Sequence, residues 1–137
     1  MIRPAVDRLP RSNALVVALA ALAVSGCGGG AAAAERPSSG NPPGPYVALA
    51  AHNIAFDTSA LNVPANVAFT IVLDNQEAVP HNVSIDRVHD AARVFEGAVF
   101  SGPATRWYAV SALAPGEYAF LCQVHPSMTG RLFVRNE

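Results

Sequence analysis

Cys122, His125 and Met128 follow one another at three-residue intervals in the run YAFLCQVHPSMTGRLFV, residues 118–134, where two alternating apolar stretches flank a short loop. Thiolate and thioether are soft ligands and imidazole is borderline, so one loop offers three donors to a single transition-metal ion. A second imidazole stands in Val79-Pro80-His81-Asn82-Val83. Two histidines, a cysteine and a weakly held axial methionine are the donor set of a trigonal copper site suited to electron exchange. His81, Cys122, His125 and Met128 are therefore the candidate metal ligands, and one copper ion, cycling between Cu+ and Cu2+, is the expected cofactor.

Taken singly, each residue has a plainer reading. An inward-facing cysteine is often core, a loop histidine is usually solvated, and a methionine fills gaps between aliphatic neighbours. Their combination carries the assignment. Cys122 shares a strand face with Tyr118 and Phe120, which turns its sulfur inward, where a metal thiolate is favoured over a free reactive thiol. His125 precedes Pro126, which moves it out of helical geometry. Gly130 lets the chain bend back into a final strand without a side-chain clash. Structural zinc would take more thiolates or imidazoles in place of a methionine. His52 and His89 have no partners at ligand spacing and are expected to be surface or structural. A multicopper enzyme would need further histidine clusters, and a binuclear copper centre a second cysteine in the loop. The chain has neither, so no enzymatic activity is expected.

These donors need a frame that brings distant segments together. Short apolar alternations punctuated by turn residues predict strands at residues 46–50, 54–56, 67–75, 81–85, 105–110, 117–122 and 130–134, with Leu61 and Val63 alternating into the core between them. In 67–75, Val67, Phe69, Ile71 and Leu73 fall on one face, and the Asp74–Glu77 end reads as a polar turn. Residues 86–102 are the least regular part, with one short helical turn expected near 89–93. Ala114-Pro115-Gly116-Glu117 is a tight turn. Seven to eight such strands predict an all-β, Greek-key β-sandwich. A small β-barrel is the alternative fold.

The N-terminal third has a different character. Arg3, Arg8 and Arg11 precede an apolar run at 14–24 that is too short to span a bilayer, the pattern of a secretory signal. The run ends in Ala23-Val24-Ser25-Gly26-Cys27, similar to a bacterial lipobox, whose cysteine is acylated and becomes the new N-terminus. An ordinary cleavable signal is the alternative, and a Cys27–Cys122 disulfide would be a plainer use of the two cysteines. The expected division is a lipoprotein signal at 1–26, a lipidated Cys27 with a flexible Gly/Ala/Pro linker at 27–45, and a folded domain at 46–137. Each acyl methylene buried in the membrane would contribute about 0.8 kcal/mol to anchorage. The expected location is the cell envelope, outside the cytoplasmic membrane. The 137-residue chain has no lysine and a formal net charge of -1, so no basic face for nucleic acid is expected.

With Pro80-His81-Asn82-Val83 and Cys122-x-x-His125-x-x-Met128-x-Gly130 both in view, the domain resembles the cupredoxins, type 1 blue copper proteins of the plastocyanin and amicyanin kind. The likeness covers residues 46–134 and is densest in the last twenty. Two residues between histidine and methionine are closer to amicyanin and pseudoazurin than to plastocyanin. The resemblance implies an eight-stranded sandwich with copper near one end, held by His81, Cys122, His125 and Met128. It also implies that Asn82 hydrogen-bonds across to the cysteine loop, and that electrons pass through the edge of His125 inside an apolar collar of Val79, Pro80, Val124 and Pro126. Val124 departs from the family, which has proline before that histidine. A copper held by soft and borderline ligands in a rigid shell suits electron transfer, so the expected function is that of a one-electron carrier, expected to be monomeric, between a redox protein donor and acceptor. A copper storage or delivery protein using the same ligands is the alternative, and a metal-free interaction sandwich is the other.

Overall fold

The computed structural model describes residues 36–37 and 40–136. The expected export signal at 1–26, the Cys27 acylation site and most of the expected linker's first half lie outside the described residues. Among the described residues there are twelve strands and no helix. They are β1 (Arg36–Pro37), β2 (Tyr46–His52), β3 (Ala55–Phe56), β4 (Ala60–Pro64), β5 (Phe69–Asn75), β6 (Pro80–His81), β7 (Ser84–Arg87), β8 (Arg93–Glu96), β9 (Phe100–Ser101), β10 (Ala104–Val110), β11 (Gly116–Leu121) and β12 (Thr129–Arg135). Four of them are two-residue pairings, which leaves eight of four residues or more; seven of these eight fall where the sequence alternates, and β8 does not.

The strands form two five-stranded sheets, in the orders β1-β10-β5-β2-β3 and β4-β12-β11-β7-β8, with β6 and β9 as a separate pair. Most neighbours are antiparallel, but β2 runs parallel to β5 and β4 parallel to β12. The molecule is an all-β sandwich. Its core comes from period-two burial: Phe69, Ile71 and Leu73 of β5 face Tyr118 and Phe120 of β11 and Leu132 and Val134 of β12, all nearly free of solvent. Phe56 packs on Phe120 with ring centroids 5.4 Å apart. Gly130 lies opposite Phe120 in the β11–β12 ladder. A Cβ there would meet the Phe120 ring and lie 2.8 Å from the Ser59 carbonyl oxygen, so glycine is needed for close approach rather than for a turn.

The structure departs from the sequence-based expectations in several places, among them 86–102, expected to be the least regular part, where β8 and β9 form. Val67 is exposed rather than inward, because Asn66 takes a left-handed conformation (φ 60°) and the strand begins only at Phe69. No helical turn forms near 89–93. There Asp90 accepts hydrogen bonds from the Ala92 amide and the Arg87 guanidinium, and Ala91 has φ 54°, so the chain reverses sharply into β8. The expected strand at 81–85 is split into β6 and β7, since the Asn82 side chain takes up bonds to another loop. Within the segment expected to be a linker, Arg36–Pro37 pairs antiparallel with Trp107 and Arg106 on the edge of β10.

One end of this sandwich gathers the β2–β3 turn, the β5–β6 connection, the β6–β9 pair and the β11–β12 loop. Glu77, in the β5–β6 connection, is bonded to Ile54 in the β2–β3 turn and to Gly102 just past β9. Gln123, just past β11, is bonded to Asn82 just past β6.

Candidate metal centre

His81 ends the two-residue strand β6, opposite Phe100 of β9. Cys122 follows directly on β11, and its sulfur continues the inward face of Tyr118 and Phe120; both His81 and Cys122 are fully buried. His125 lies three residues on and is partly exposed. The β11–β12 loop closes on its own backbone, the Cys122 amide donating to the Met128 carbonyl at 3.0 Å and the Met128 amide to the His125 carbonyl at 2.9 Å. That tight turn brings His125 back over Cys122. Met128 is 2% exposed and belongs to the same buried cluster as Cys122.

Three of the four expected ligands converge. Cys122 Sγ is 3.8 Å from His81 Nδ1 and 3.9 Å from His125 Nδ1, and the two Nδ1 atoms are 3.2 Å apart. A point equidistant from three atoms at these separations lies about 2.1 Å from each, within the range of about 2.0–2.3 Å usual for nitrogen and sulfur bonds to a metal such as zinc. The imidazoles are tilted by 51°, with centroids 4.8 Å apart, so they aim their ring edges at a common point rather than stacking.

The chemistry of the donors tests the fit. His81 Nε2 lies 2.7 Å from Glu77 Oε1, a carboxylate that can only accept, so Nε2 is the donor and the neutral ring in this arrangement keeps its lone pair on Nδ1. That Nδ1 faces a second imidazole nitrogen and a thiol in a largely buried site. Such a cluster of electron-pair donors suits a cation at its centre. Glu77 also accepts from the Ile54 amide at 3.0 Å. The Ile54 amide, and next the His81 ring, hold its carboxyl below the usual carboxylate value, so it remains an acceptor for His81. Ile54 (φ 54°) and Asn53 (φ 51°) are both left-handed, an uncommon conformation for a β-branched residue, and this turn is what aims the Ile54 amide at Glu77.

Asn82 joins the two ligand-bearing segments. Its Nδ2 donates to the Gly97 carbonyl at 2.8 Å and to Gln123 Oε1, and its Oδ1 accepts from the Gln123 amide at 2.9 Å. Of the expected apolar collar, Pro80, Pro126 and Val124 are exposed, the last by 40%, and Val79 is half-buried. His52 and His89 are exposed and lie outside the cluster, His89 beside Asp90 at 3.3 Å. The sequence reading missed Glu77 and Gln123. The signal for Glu77 was its place four residues before His81 at a strand end, and for Gln123 its place directly after Cys122.

A family model described as a cupredoxin-like domain matches residues 14–134. Amicyanin-alpha of Methylorubrum extorquens is 34% identical over 79 residues, a match covering 58% of this chain and 63% of that protein's own length. Among solved structures, auracyanin A from Chloroflexus aurantiacus, described as a "blue" copper protein, superimposes with a TM-score of 0.59 at 23% identity, covering 67% of this chain and all of that one. Amicyanin from Paracoccus versutus gives a TM-score of 0.54 at 22% identity, covering 74% of this chain and 97% of the other. At these identities the two structures speak for the fold alone.

Proposed function

The chain belongs to the cupredoxin-like family, and on that premise we propose that it is a type 1 blue copper protein carrying one electron at a time. His81, Cys122, His125 and Met128 would hold a single copper ion. The observation that carries this reading is the convergence of His81 Nδ1, Cys122 Sγ and His125 Nδ1 within 3.9 Å of one another at one end of the sandwich. Copper, when bound, supplies the one-electron couple.

The chain's own residues do the rest. Glu77 fixes the tautomer and orientation of His81. Burial in the same core cluster as Phe120 and Met128 keeps water from Cys122. Asn82 ties the His81 segment to the Cys122 loop, so the ligands need little movement when the charge changes. His125, the only one of the three converging residues with solvent access, is the port for electrons, and Pro80, Val124 and Pro126 around it suit brief docking with a redox protein. Val124→Glu should slow transfer to a partner while copper stays bound; unchanged stopped-flow rates would remove the collar from this account.

We further propose that the protein works outside the cytoplasmic membrane as a monomer, held by acylated Cys27 through the linker at 27–45. Mass spectrometry of the mature chain from membranes should find a diacylated or triacylated Cys27 N-terminus. A start at any other residue would sink the anchor. Storage or delivery of copper by the same ligands is less well supported, because His81 and Cys122 are fully buried and offer an acceptor no open approach to the ion.

The deciding experiment is the visible spectrum of the copper-loaded protein together with its redox cycling. An intense blue thiolate-to-copper band that bleaches and returns with mild reductant and oxidant is expected. A loaded protein that holds only cuprous copper and stays colourless in oxidant would favour delivery, and no stoichiometric copper binding would end both readings.

A further inference from the structure

Asn75 is the last residue of β5 and occupies the inward face that Phe69, Ile71 and Leu73 also occupy, with no solvent exposure. An amide at the end of an apolar stripe is costly unless its polar atoms find partners. Those of Asn75 do, and all three partners are backbone atoms around His81. Nδ2 donates to the Val79 carbonyl at 2.9 Å and to the Phe100 carbonyl at 3.2 Å, and Oδ1 accepts from the Glu77 amide at 3.1 Å. Val79 lies two residues before His81 in the same connection, Phe100 is the residue paired with His81, and Glu77 carries the carboxylate on the His81 ring. One side chain thus fixes the connection before the imidazole, the strand beside it and the root of the group that orients it.

The cradle has no slack on its far side. The Gly102 amide donates to the Glu77 carbonyl at 3.1 Å, and a Cβ on Gly102 would press on the Asn75 carbonyl oxygen and lie 2.7 Å from that of Glu77. We propose that Asn75 is the positioning residue for His81, setting the place and tautomer of the imidazole before any metal arrives. As a statement about copper this rests on the ligand role proposed for His81; as a statement about the metal-free protein it stands by itself.

The test compares Asn75→Ser with Leu73→Val, a change on the same strand face that loosens packing without touching the β5–β6 connection. In the metal-free parent, ring nitrogen NMR of His81 should show a single tautomer protonated at Nε2. Asn75→Ser should give a mixture of tautomers and at least tenfold faster exchange of the Glu77 amide proton. Leu73→Val should lower the melting temperature and leave both signals as in the parent. In the copper-loaded protein, Asn75→Ser should weaken copper binding at least tenfold and shift the reduction potential. Should Asn75→Ser not fold, Asn75→Asp serves, since it keeps the shape and the acceptor for Glu77 but loses both donated bonds; the tautomer mixture is again expected. A parent-like His81 signature in the folded Asn75 variant would overturn the proposal. If the parent takes up no copper, the proposed function fails while the metal-free measurements still decide the role of Asn75.

Discussion

The two segments that meet at the candidate centre are held differently. Beyond the β6–β9 pairing and the backbone bonds of Gln76 and Glu77, the stretch from Asn75 to Asn82 relies on the side chains of Asn75, Glu77 and Asn82, whose partners lie as far away in sequence as Ile54, Gly97 and Gln123. The loop from Cys122 to Met128 is fixed mainly by its own backbone, a turn from Cys122 to Met128 with a second bond inside it. A loop held by its backbone tolerates changes at side chains that are not ligands. A segment held by side-chain bonds depends on the identity of each one. The structure therefore places the vulnerable part of the centre around the buried histidine rather than around the cysteine loop, although the loop carries more of the expected donors.

Substitutions can break this contrast or sharpen it. The largest effect is expected where the loop has no redundancy: Cys122→Ser should abolish the blue absorption and stoichiometric copper binding, measured by titration, while the metal-free protein still folds. Asn82→Ala should come next, because the Asn82 side chain joins both segments, standing at the strand end of one and bonding to the Gln123 amide and side chain on the other. With two or more buried partners left unpaired at about 1–3 kcal/mol each, partly relieved by water, a loss of about 2–4 kcal/mol in urea unfolding is expected, and a loss below about 1 kcal/mol would mean the two segments are not coupled through it. Glu77→Ala should leave His81 without its Nε2 partner and weaken copper binding about 10–100-fold, and equal affinity in competition with a chelator would show that the carboxylate is incidental. Ile54→Gly keeps the amide that Glu77 accepts and relieves a left-handed β-branched residue. It should raise stability by up to about 1 kcal/mol and leave the copper spectrum unchanged; a changed spectrum would show that the side chain itself shapes the site.

The same contrast separates what is legible in the sequence from what is not. His81, Cys122 and His125 were legible because soft and borderline donors rarely fall together at such short spacing unless one ion gathers them, and the inward turn of Cys122 followed from its alternation with Tyr118 and Phe120. Of the eight longer strands, all but β8 were legible for a similar reason, since a period of two survives in a half-buried strand; β8 is mostly exposed and shows no such alternation. Asn75 and Glu77 were not legible. A polar run at a strand end looks like an exposed turn, and only the arrival of β9 and the β2–β3 turn buries or engages it. Val67 was misplaced because nothing local announces that Asn66 turns left-handed. The break between β6 and β7 was hidden because Asn82 exchanges ladder bonds for partners at Gly97 and Gln123, the latter forty-one residues away.

The order of strands in the second sheet has a consequence for how the molecule is made. β12 lies between β4 and β11, so β4 has no neighbour in that sheet until β12, which follows every other described strand in the chain, has come in beside it. Pairing across so long a stretch of chain is slow, and the thiol of Cys122 sits just upstream of β12. A polypeptide whose β12 is not yet paired therefore leaves that sulfur less covered against oxidants or stray metal, and the pairing of β12 completes its cover.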